Sequence, residues 1–236
     1  MRVTLNGIVS SDEDRWIYEW FGYRAFSPEQ VRDAIAQNPQ GEELVLEINS
    51  PGGSVFAGSE MYSILRSCSI PTRAEIQSLA ASAASYLCLG CGTVALSPVA
   101  QMMMHLPSTT TEGDRTEHQR SIGMLDATRE AILNAYELKA KGKSDRAELR
   151  RMMSTETWLT AQDALDHGLV DEILGQEDGQ TMRPGSLANA FGLPDITALR
   201  AAYDRANPSA PPERRPQNTG TDWRLAARLD LEKNRF

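Results

Sequence analysis

Short apolar runs alternate with stretches in which apolar residues recur every three or four positions along residues 1–175. The short runs are typical of buried strands, and the periodic stretches are typical of amphipathic helices. Regular alternation of the two predicts an α/β domain with a mostly parallel sheet. The predicted strands are 3–9, 44–49, 72–76, 93–96, 101–105 and 169–174, and the predicted helices are 28–37, 57–66, 82–89, 114–141, 144–153 and 160–168.

Two segments depart from this alternation. Residues 12–26 are rich in aromatic side chains, and we interpret them as a surface insertion or a partner-binding patch. Residues 176–236 hold six of the twelve prolines, a composition that cannot easily bury a core and is typical of a flexible tail. Two apolar-periodic pieces of this tail, 196–203 and 223–231, are either docking helices or weakly ordered amphipathic segments. The predicted organisation is therefore a folded domain over 1–175 followed by a Pro-rich tail over 176–236.

Charge and cysteine content narrow the classes of function. The chain has 24 Lys and Arg residues against 32 Asp and Glu residues, and a net charge of −8 argues against a nucleic-acid binder. No stretch approaches the roughly 18 to 20 apolar residues of a membrane helix, so we expect no membrane partner and a cytoplasmic location. Three cysteines are too few for a disulfide framework and fit a reducing compartment. Cys88 and Cys91 lack a second pair of zinc ligands, which favours two buried thiols over a metal site.

Three local features could carry chemistry. The glycines of Ser50-Pro51-Gly52-Gly53 follow a predicted strand, and their N–H groups can face a ligand, although a simple tight turn explains them equally well. Ser82 lies among small residues at the predicted start of a helix, where free N–H groups can stabilise an oxyanion. His105 ends an apolar strand and is the best placed of three histidines to act as a base, because His118 and His167 lie on a solvated helix and at a helix end. Each feature alone is weak evidence.

Four motifs in this order resemble the proteolytic subunit of Clp protease, most closely the shorter Clp-type peptidases of phages and prophages that mature capsids. The motifs are INSPGGSVFAG (48–58), SLAASAASYL (78–87), MMMHLP (102–107) and ETWLTAQDALDHGLVDEI (156–173). The resemblance covers about residues 2–175. It implies the Clp protease/crotonase-like fold of ββα repeats and a serine endopeptidase that works through an acyl-enzyme, with no cofactor and no metal.

The resemblance also assigns roles to residues. Ser82 matches the nucleophile and His105 the general base, while Gly53 and Ala83 match the two residues whose N–H groups form the oxyanion hole. Glu156 falls at the third triad position, where the family usually has an aspartate. The carboxylates that could replace Glu156 in this role are Asp163, Asp166 and Asp171.

The family implies partners as well as chemistry. We expect a protein or peptide substrate and a homo-oligomeric ring of six or seven subunits, single or stacked, with the predicted helix 114–141 at a subunit contact. A capsid or scaffold protein is the candidate partner of the tail. The first predicted strand begins at about Arg2 and leaves no room for the pore-lining segment of full-length Clp subunits, which argues against an ATP-driven unfoldase partner.

Three other functions remain open from the sequence. An acyl-CoA enzyme of the crotonase type shares the fold but does not require a Ser82–His105 pair. A Ser/Lys peptidase is disfavoured because no lysine lies near the predicted sheet. A catalytically silent capsid assembly or scaffold module would need none of the predicted site residues.

Overall fold

The computed structural model describes residues 1–39, 41–175 and 194–206. The strands are β1 (Arg2–Val9), β2 (Ala25–Phe26), β3 (Leu44–Gly53), β4 (Thr72–Ala81), β5 (Thr93–Leu96), β6 (Gln101–Met104), β7 (Thr157–Leu159) and β8 (Glu172–Ile173). The α-helices are α1 (Arg15–Trp20), α2 (Pro28–Gln37), α3 (Val55–Ser67), α4 (Ala83–Leu87), α5 (Arg115–Ala140), α6 (Arg146–Ser154), α7 (Ala161–Asp166) and α8 (Ile196–Ala206). Within these ranges no helix is both long enough and apolar enough to span a membrane.

One sheet organises the domain. Its main path runs β2-β1-β3-β4-β5-β8, and every neighbouring pair along it is parallel. Strand β6 is parallel to the end of β4, with which it pairs. Strand β7 pairs with β6 in the antiparallel direction. The prediction of an α/β fold with a mostly parallel sheet is therefore confirmed.

The central strands bury one apolar face in the core, whereas the alternate positions on the other face include charged residues such as Glu47. Leu44, Leu46 and Ile48 of β3 are fully buried, as is Ile76 of β4. They join one core cluster with residues of α3, α4 and the second half of α5. This packing fixes the carboxyl ends of β3, β4 and β6, from which the predicted site residues emerge.

Strands β3 and β4 are longer than predicted. The sequence placed a turn at Ser50-Pro51-Gly52-Gly53, but β3 continues through these residues after a register shift between Ile48 and Ser50. Strand β4 likewise runs five residues past its predicted end to Ala81, and Ser50 pairs with Ala80. The small side chains that suggested a turn and a helix start allow the two backbones to stay close instead.

The aromatic segment 12–26, which the sequence suggested was a surface insertion or a partner-binding patch, forms α1 and β2 and buries most of its aromatic side chains inside the domain. Helix α1 packs against α8, which lies within the predicted tail, and the two helices share a second apolar cluster beside β1. Trp16 and Trp20 both make edge contacts with the ring of Tyr203 from α8. The apolar-periodic piece at 196–203 is thus a helix, whereas the piece at 223–231 lies outside the described residues. The domain boundary at residue 175 stays a prediction.

Candidate active site

Two adjacent parallel strands bring the predicted nucleophile and base together. Ala81 at the end of β4 pairs with Met103 of β6, and the Ser82 N–H donates to the Met103 carbonyl at 2.9 Å. His105 directly follows β6. Because the carboxyl ends of both strands meet at one edge of the sheet, His105 Nε2 lies 2.7 Å from Ser82 Oγ. The register of the sheet therefore creates a serine–histidine pair from residues 23 positions apart.

Ser82 has a strained backbone. Its φ of 53° and ψ of −123° lie in a region that non-glycine residues rarely adopt, at the abrupt change from β4 to α4. The Ser82 N–H donates to Met103, and the Ser82 carbonyl accepts two hydrogen bonds from Ser85. The Ser85 N–H donates at 3.0 Å and the Ser85 hydroxyl at 2.6 Å. Ser85 Oγ is itself 2.5 Å from the buried hydroxyl of Tyr136 on α5. Strain of this kind persists where surrounding contacts over-determine the conformation, and it exposes the hydroxyl at the strand-to-helix turn.

The glycines at the end of β3 lie against this turn. A Cβ on Gly52 would be 2.6 Å from Ser82 Cβ and 3.1 Å from the Ala83 nitrogen, and φ of Gly52 is +96°. The peptide that joins Gly52 to Gly53 therefore lies beside the peptide that joins Ser82 to Ala83. The Ala83 N–H is in the first turn of α4, where helix N–H groups have no partner inside the helix. Gly53 directly follows Gly52 at this place, and the assignment of the Gly53 and Ala83 N–H groups to an oxyanion hole stays a prediction.

Sequence reasoning allowed both glycines to face a ligand, but it assigned the oxyanion hole to Gly53 and not to Gly52. Gly52 is the residue that actually touches the predicted nucleophile. The doubled glycine after a strand was the available signal, but the sequence could not indicate which turn on another strand it would contact.

His105 is half-buried, and its environment keeps it neutral. Burial lowers the pKa of His105 below its ordinary value, and the carboxylate of Glu156 partly offsets this by raising the pKa. A histidine with a lowered pKa is uncharged at neutral pH. It can therefore accept a proton from Ser82.

Glu156 lies near His105 but does not bind it directly. Its backbone has φ of 47°, and it precedes β7, whose Thr157 pairs with Met104 of β6. The exposed carboxylate accepts a hydrogen bond from Trp158 Nε1 at 3.4 Å. In the part of the chain that is described, no hydrogen bond joins Glu156 to His105. Glu156 therefore acts on the imidazole through charge at a distance, and its triad role stays a prediction.

The other candidate carboxylates are occupied elsewhere. Asp163 caps α7 by accepting hydrogen bonds from both the N–H and the hydroxyl of Thr160. Asp171 pairs with Lys139 and accepts the Val94 N–H. Asp166 accepts a hydrogen bond from Gln162 on the surface of α7. His105 has a charge interaction with Glu156 and with none of these three.

The structure contains a second serine–histidine pair, which differs from the first in access. Ser144 Oγ lies 2.7 Å from His167 Nδ1, the same separation as in the Ser82–His105 pair. Ser144 is only 3% exposed and precedes α6, whose cap is Asp145. The Ser144 hydroxyl is buried at the junction of α6 and α7. Its hydrogen bond to His167 therefore links two helix ends, and a substrate cannot reach it.

Two of the three cysteines, Cys88 and Cys91, are core residues, whereas Cys68 is partly exposed. Cys88 and Cys91 are buried, and burial raises the pKa of Cys88 to about 12, so neither thiol is reactive at neutral pH. Among the described residues there is no cluster of three or more His, Cys, Asp or Glu side chains that could hold a metal ion.

Comparison with known proteins agrees with this geometry. Residues 33–177 match the model of the Clp protease family. ATP-dependent Clp protease proteolytic subunit 1 of Chlamydia abortus is 36% identical over 141 residues, which cover 58% of this chain and 72% of the relative. Proteolytic subunit 3 of Streptomyces coelicolor is 30% identical over 161 residues, covering 67% and 71%, and proteolytic subunit 2 of Thermobifida fusca is 32% identical over 162 residues, covering 63% and 79%. With the family match spanning more than half of its length, the chain belongs to the Clp protease family.

Proposed function

We propose that this chain is a serine endopeptidase that hydrolyses peptide bonds through an acyl-enzyme formed on Ser82. The observation that carries the proposal is the 2.7 Å contact between Ser82 Oγ and His105 Nε2 at a strained strand-to-helix turn. Family membership supports the same chemistry, because Clp proteases are serine peptidases.

The mechanism follows from the positions of these groups. Neutral His105 takes the Ser82 proton while Oγ attacks the carbonyl carbon of the scissile peptide. The carbonyl oxygen becomes an oxyanion, to which the N–H groups of Gly53 and Ala83 donate hydrogen bonds in this proposal. The imidazolium then gives its proton to the leaving amine, and a water molecule repeats the cycle on the acyl-enzyme. Glu156 stabilises the imidazolium by its charge.

A homo-oligomeric ring is the proposed assembly. Helix α5 has all of its buried residues from Ile132 onward, while the apolar side chain of Ile122 in its first half is exposed. An exposed apolar side chain at this position fits a contact with a second copy of this chain. The relatives named above are subunits of ATP-dependent proteases. A role in phage capsid maturation and a capsid partner remain predictions, as does the absence of an unfoldase partner.

Active-site labelling tests the proposal directly. The full-length protein is treated with a fluorophosphonate probe, which reacts with activated serines, and its hydrolysis of fluorogenic peptides is measured. We expect labelling at Ser82 that is lost in Ser82→Ala and strongly reduced in His105→Ala. Ser144→Ala is the matched control, because it removes the buried member of a similar pair and should keep both labelling and hydrolysis.

The same experiment decides between the remaining functions. A folded, assembled protein that neither reacts at Ser82 nor cleaves peptides would favour the assembly module over the peptidase. Hydrolysis of acyl-CoA thioesters with no effect of Ser82→Ala would favour the crotonase-type alternative.

A further inference from the structure

A cleft of about 760 Å³ begins at the predicted oxyanion glycine, Gly53. One wall is the start of α3, including the exposed ring of Phe56, and another is the loop after His105 with part of α5. The far wall comes from the junction of α1 and α8, through Asp14, Tyr18 and Asp195. A peptide held with its scissile carbonyl at Gly53 would extend a neighbouring side chain toward this wall.

The far wall of the cleft is formed by segments outside the family domain. Helix α1 ends before residue 33 and α8 begins after residue 177, so both lie outside the residues that match the Clp protease family. They are nevertheless packed firmly: Leu199 of α8 is fully buried, and the ring of Tyr203 packs on Trp16 and Trp20. The wall therefore belongs to the folded structure around the site.

The charge of this wall is negative. Asp14 and Asp195 both line the cleft, and within the described residues no Lys, Arg or His side chain does. Asp14 is compensated, because it pairs with Arg200 of α8 and accepts the Ser11 hydroxyl at 2.9 Å. Asp195 accepts the backbone N–H of Thr197 at 2.9 Å, and it forms no ion pair in the described part of the chain. The Asp195 carboxylate, at the rim of the cleft, is thus available to pair with a cationic group of a bound ligand.

Tyr18 supplies an independent indication of a ligand. Its side chain is 9% exposed and lines the cleft between the two carboxylates, yet its hydroxyl has no hydrogen-bond partner among residues 1–39, 41–175 and 194–206. Burial raises the pKa of Tyr18 to about 12, with further contributions from Asp14 and Asp195. The phenol oxygen of this largely buried side chain faces the cleft near two carboxylates and can accept a hydrogen bond from a donor that carries positive charge.

We propose that the cleft between Gly53 and the α1–α8 junction is a substrate subsite that binds a Lys or Arg side chain near the scissile bond. The aliphatic stem would lie along Phe56 and Tyr18, while the ammonium or guanidinium group would reach Asp195 and the Tyr18 hydroxyl. The inference rests on the proposed peptidase function and specifies its substrate class.

Binding to an inactive full-length variant tests this subsite without catalysis. In a Ser82→Ala background, fluorescence anisotropy is measured with labelled peptides of one sequence that carry Lys, Gln or Glu at each position around the expected cleavage site. We expect Lys at one position to tighten binding about fivefold over Gln, as for a partly exposed ion pair, and added salt to reduce this preference. Asp195→Asn should remove the preference, while Asp195→Glu should keep it. Asparagine also caps helices well, so Asp195→Asn should leave α8 folded.

Asp204→Asn is the matched control, because it removes an equal charge from an exposed position of α8 that does not line the cleft. Equal binding of Lys and Glu peptides, or a preference that Asp195→Asn leaves intact, would overturn the subsite. Cleavage of the same peptides by the wild-type protein is followed in parallel. Cleavage without a Lys preference refutes only the subsite, whereas absence of any cleavage refutes the proposed function.

Discussion

Protonation of His105 sets the pH range in which the proposed reaction can proceed. Burial destabilises the imidazolium and lowers the pKa of His105, and Glu156 opposes this shift. Activity should therefore rise with pH and reach half of its plateau below the ordinary histidine value of about 6.5. Glu156→Gln removes the one interaction among the described residues that raises the pKa of His105. The midpoint should therefore move further toward acid, with a lower plateau because the imidazolium intermediate is less stabilised.

The pH dependence of kcat/KM for a fluorogenic peptide measures both effects. Asp166→Asn is the control, since it removes a nearby exposed carboxylate that does not act on His105. A midpoint shift in Asp166→Asn, or none in Glu156→Gln, would contradict the assignment of Glu156 as the carboxylate that acts on the base.

Gly52 should be as necessary for activity as the residues that perform the chemistry. A methyl group at this position would lie 2.6 Å from Ser82 Cβ and 2.7 Å from the Ala81 carbonyl oxygen, so Gly52→Ala must displace the turn that holds Ser82 and Ala83. We expect kcat/KM to fall by about 100-fold or more, the scale of losing an oxyanion-hole donor. Peptide hydrolysis and thermal unfolding are measured together.

Gly142→Ala separates this effect from backbone strain. Gly142 also has a positive φ, +85°, but a Cβ there would meet no atom within 4 Å. Both variants should lose about 1–3 kcal/mol of stability from the unfavourable φ, with Gly52→Ala losing more because of its contacts. Only Gly52→Ala should lose activity, and an equal loss in both would show that strain rather than contact is responsible.

The pairing of Ser82 with His105 could be anticipated at the level of residues, because the family resemblance fixes both positions in the sequence. The geometry of the pair could not be anticipated, since the 2.7 Å separation of Ser82 Oγ and His105 Nε2 depends on the register of β4 against β6. The same holds for the position of Glu156. The sequence places it in a triad, but the structure leaves its exposed carboxylate turned to Trp158 without a hydrogen bond to His105 among the described residues.

Elements with a strong local pattern were predictable, and elements that depend on distant contacts were not. Helix α5 was predicted to within one residue at each end, and its start has a local signal because the Asp114 side chain caps it. Strand β7 has three residues and exists through its pairing with β6, so no local signal marks it. Helices α1 and α8 stabilise each other through aromatic contacts between residues about 185 positions apart. Composition alone suggested that the first segment was an insertion and the second part of a tail.

The carboxyl ends of β3, β4 and β6 explain why one edge of the sheet carries the site. Each strand leads to a different predicted group: β3 ends at the predicted oxyanion glycine, Ser82 directly follows β4, and His105 directly follows β6. The parallel arrangement places all three at the same edge, whereas antiparallel neighbours would send alternate groups to opposite edges. Helices α1 and α8 then close one side of the space in front of this edge, so the chemistry and the proposed substrate preference come from separate layers of the fold.

Assembly is the remaining property of the whole molecule, and α5 is its strongest determinant. A helix of 26 residues spans about 39 Å, and its buried residues are confined to the half that begins at Ile132. Most helical stability in proteins comes from packing an apolar face against a neighbour, so a partner that covers the first half of α5 would stabilise it. Ile122 is 59% exposed there, and burying it against a second copy would contribute about 1.5–3 kcal/mol at each contact.

We therefore expect the full-length protein to form a closed ring by light scattering, and Ile122→Glu to shift it toward smaller species at micromolar concentration. Gln119→Glu, which adds the same charge at an exposed polar position of α5, should leave the mass unchanged. A wild-type protein that is a fully active monomer would exclude the ring, and equal dissociation of both variants would show that the added charge, not the apolar contact, disrupts it.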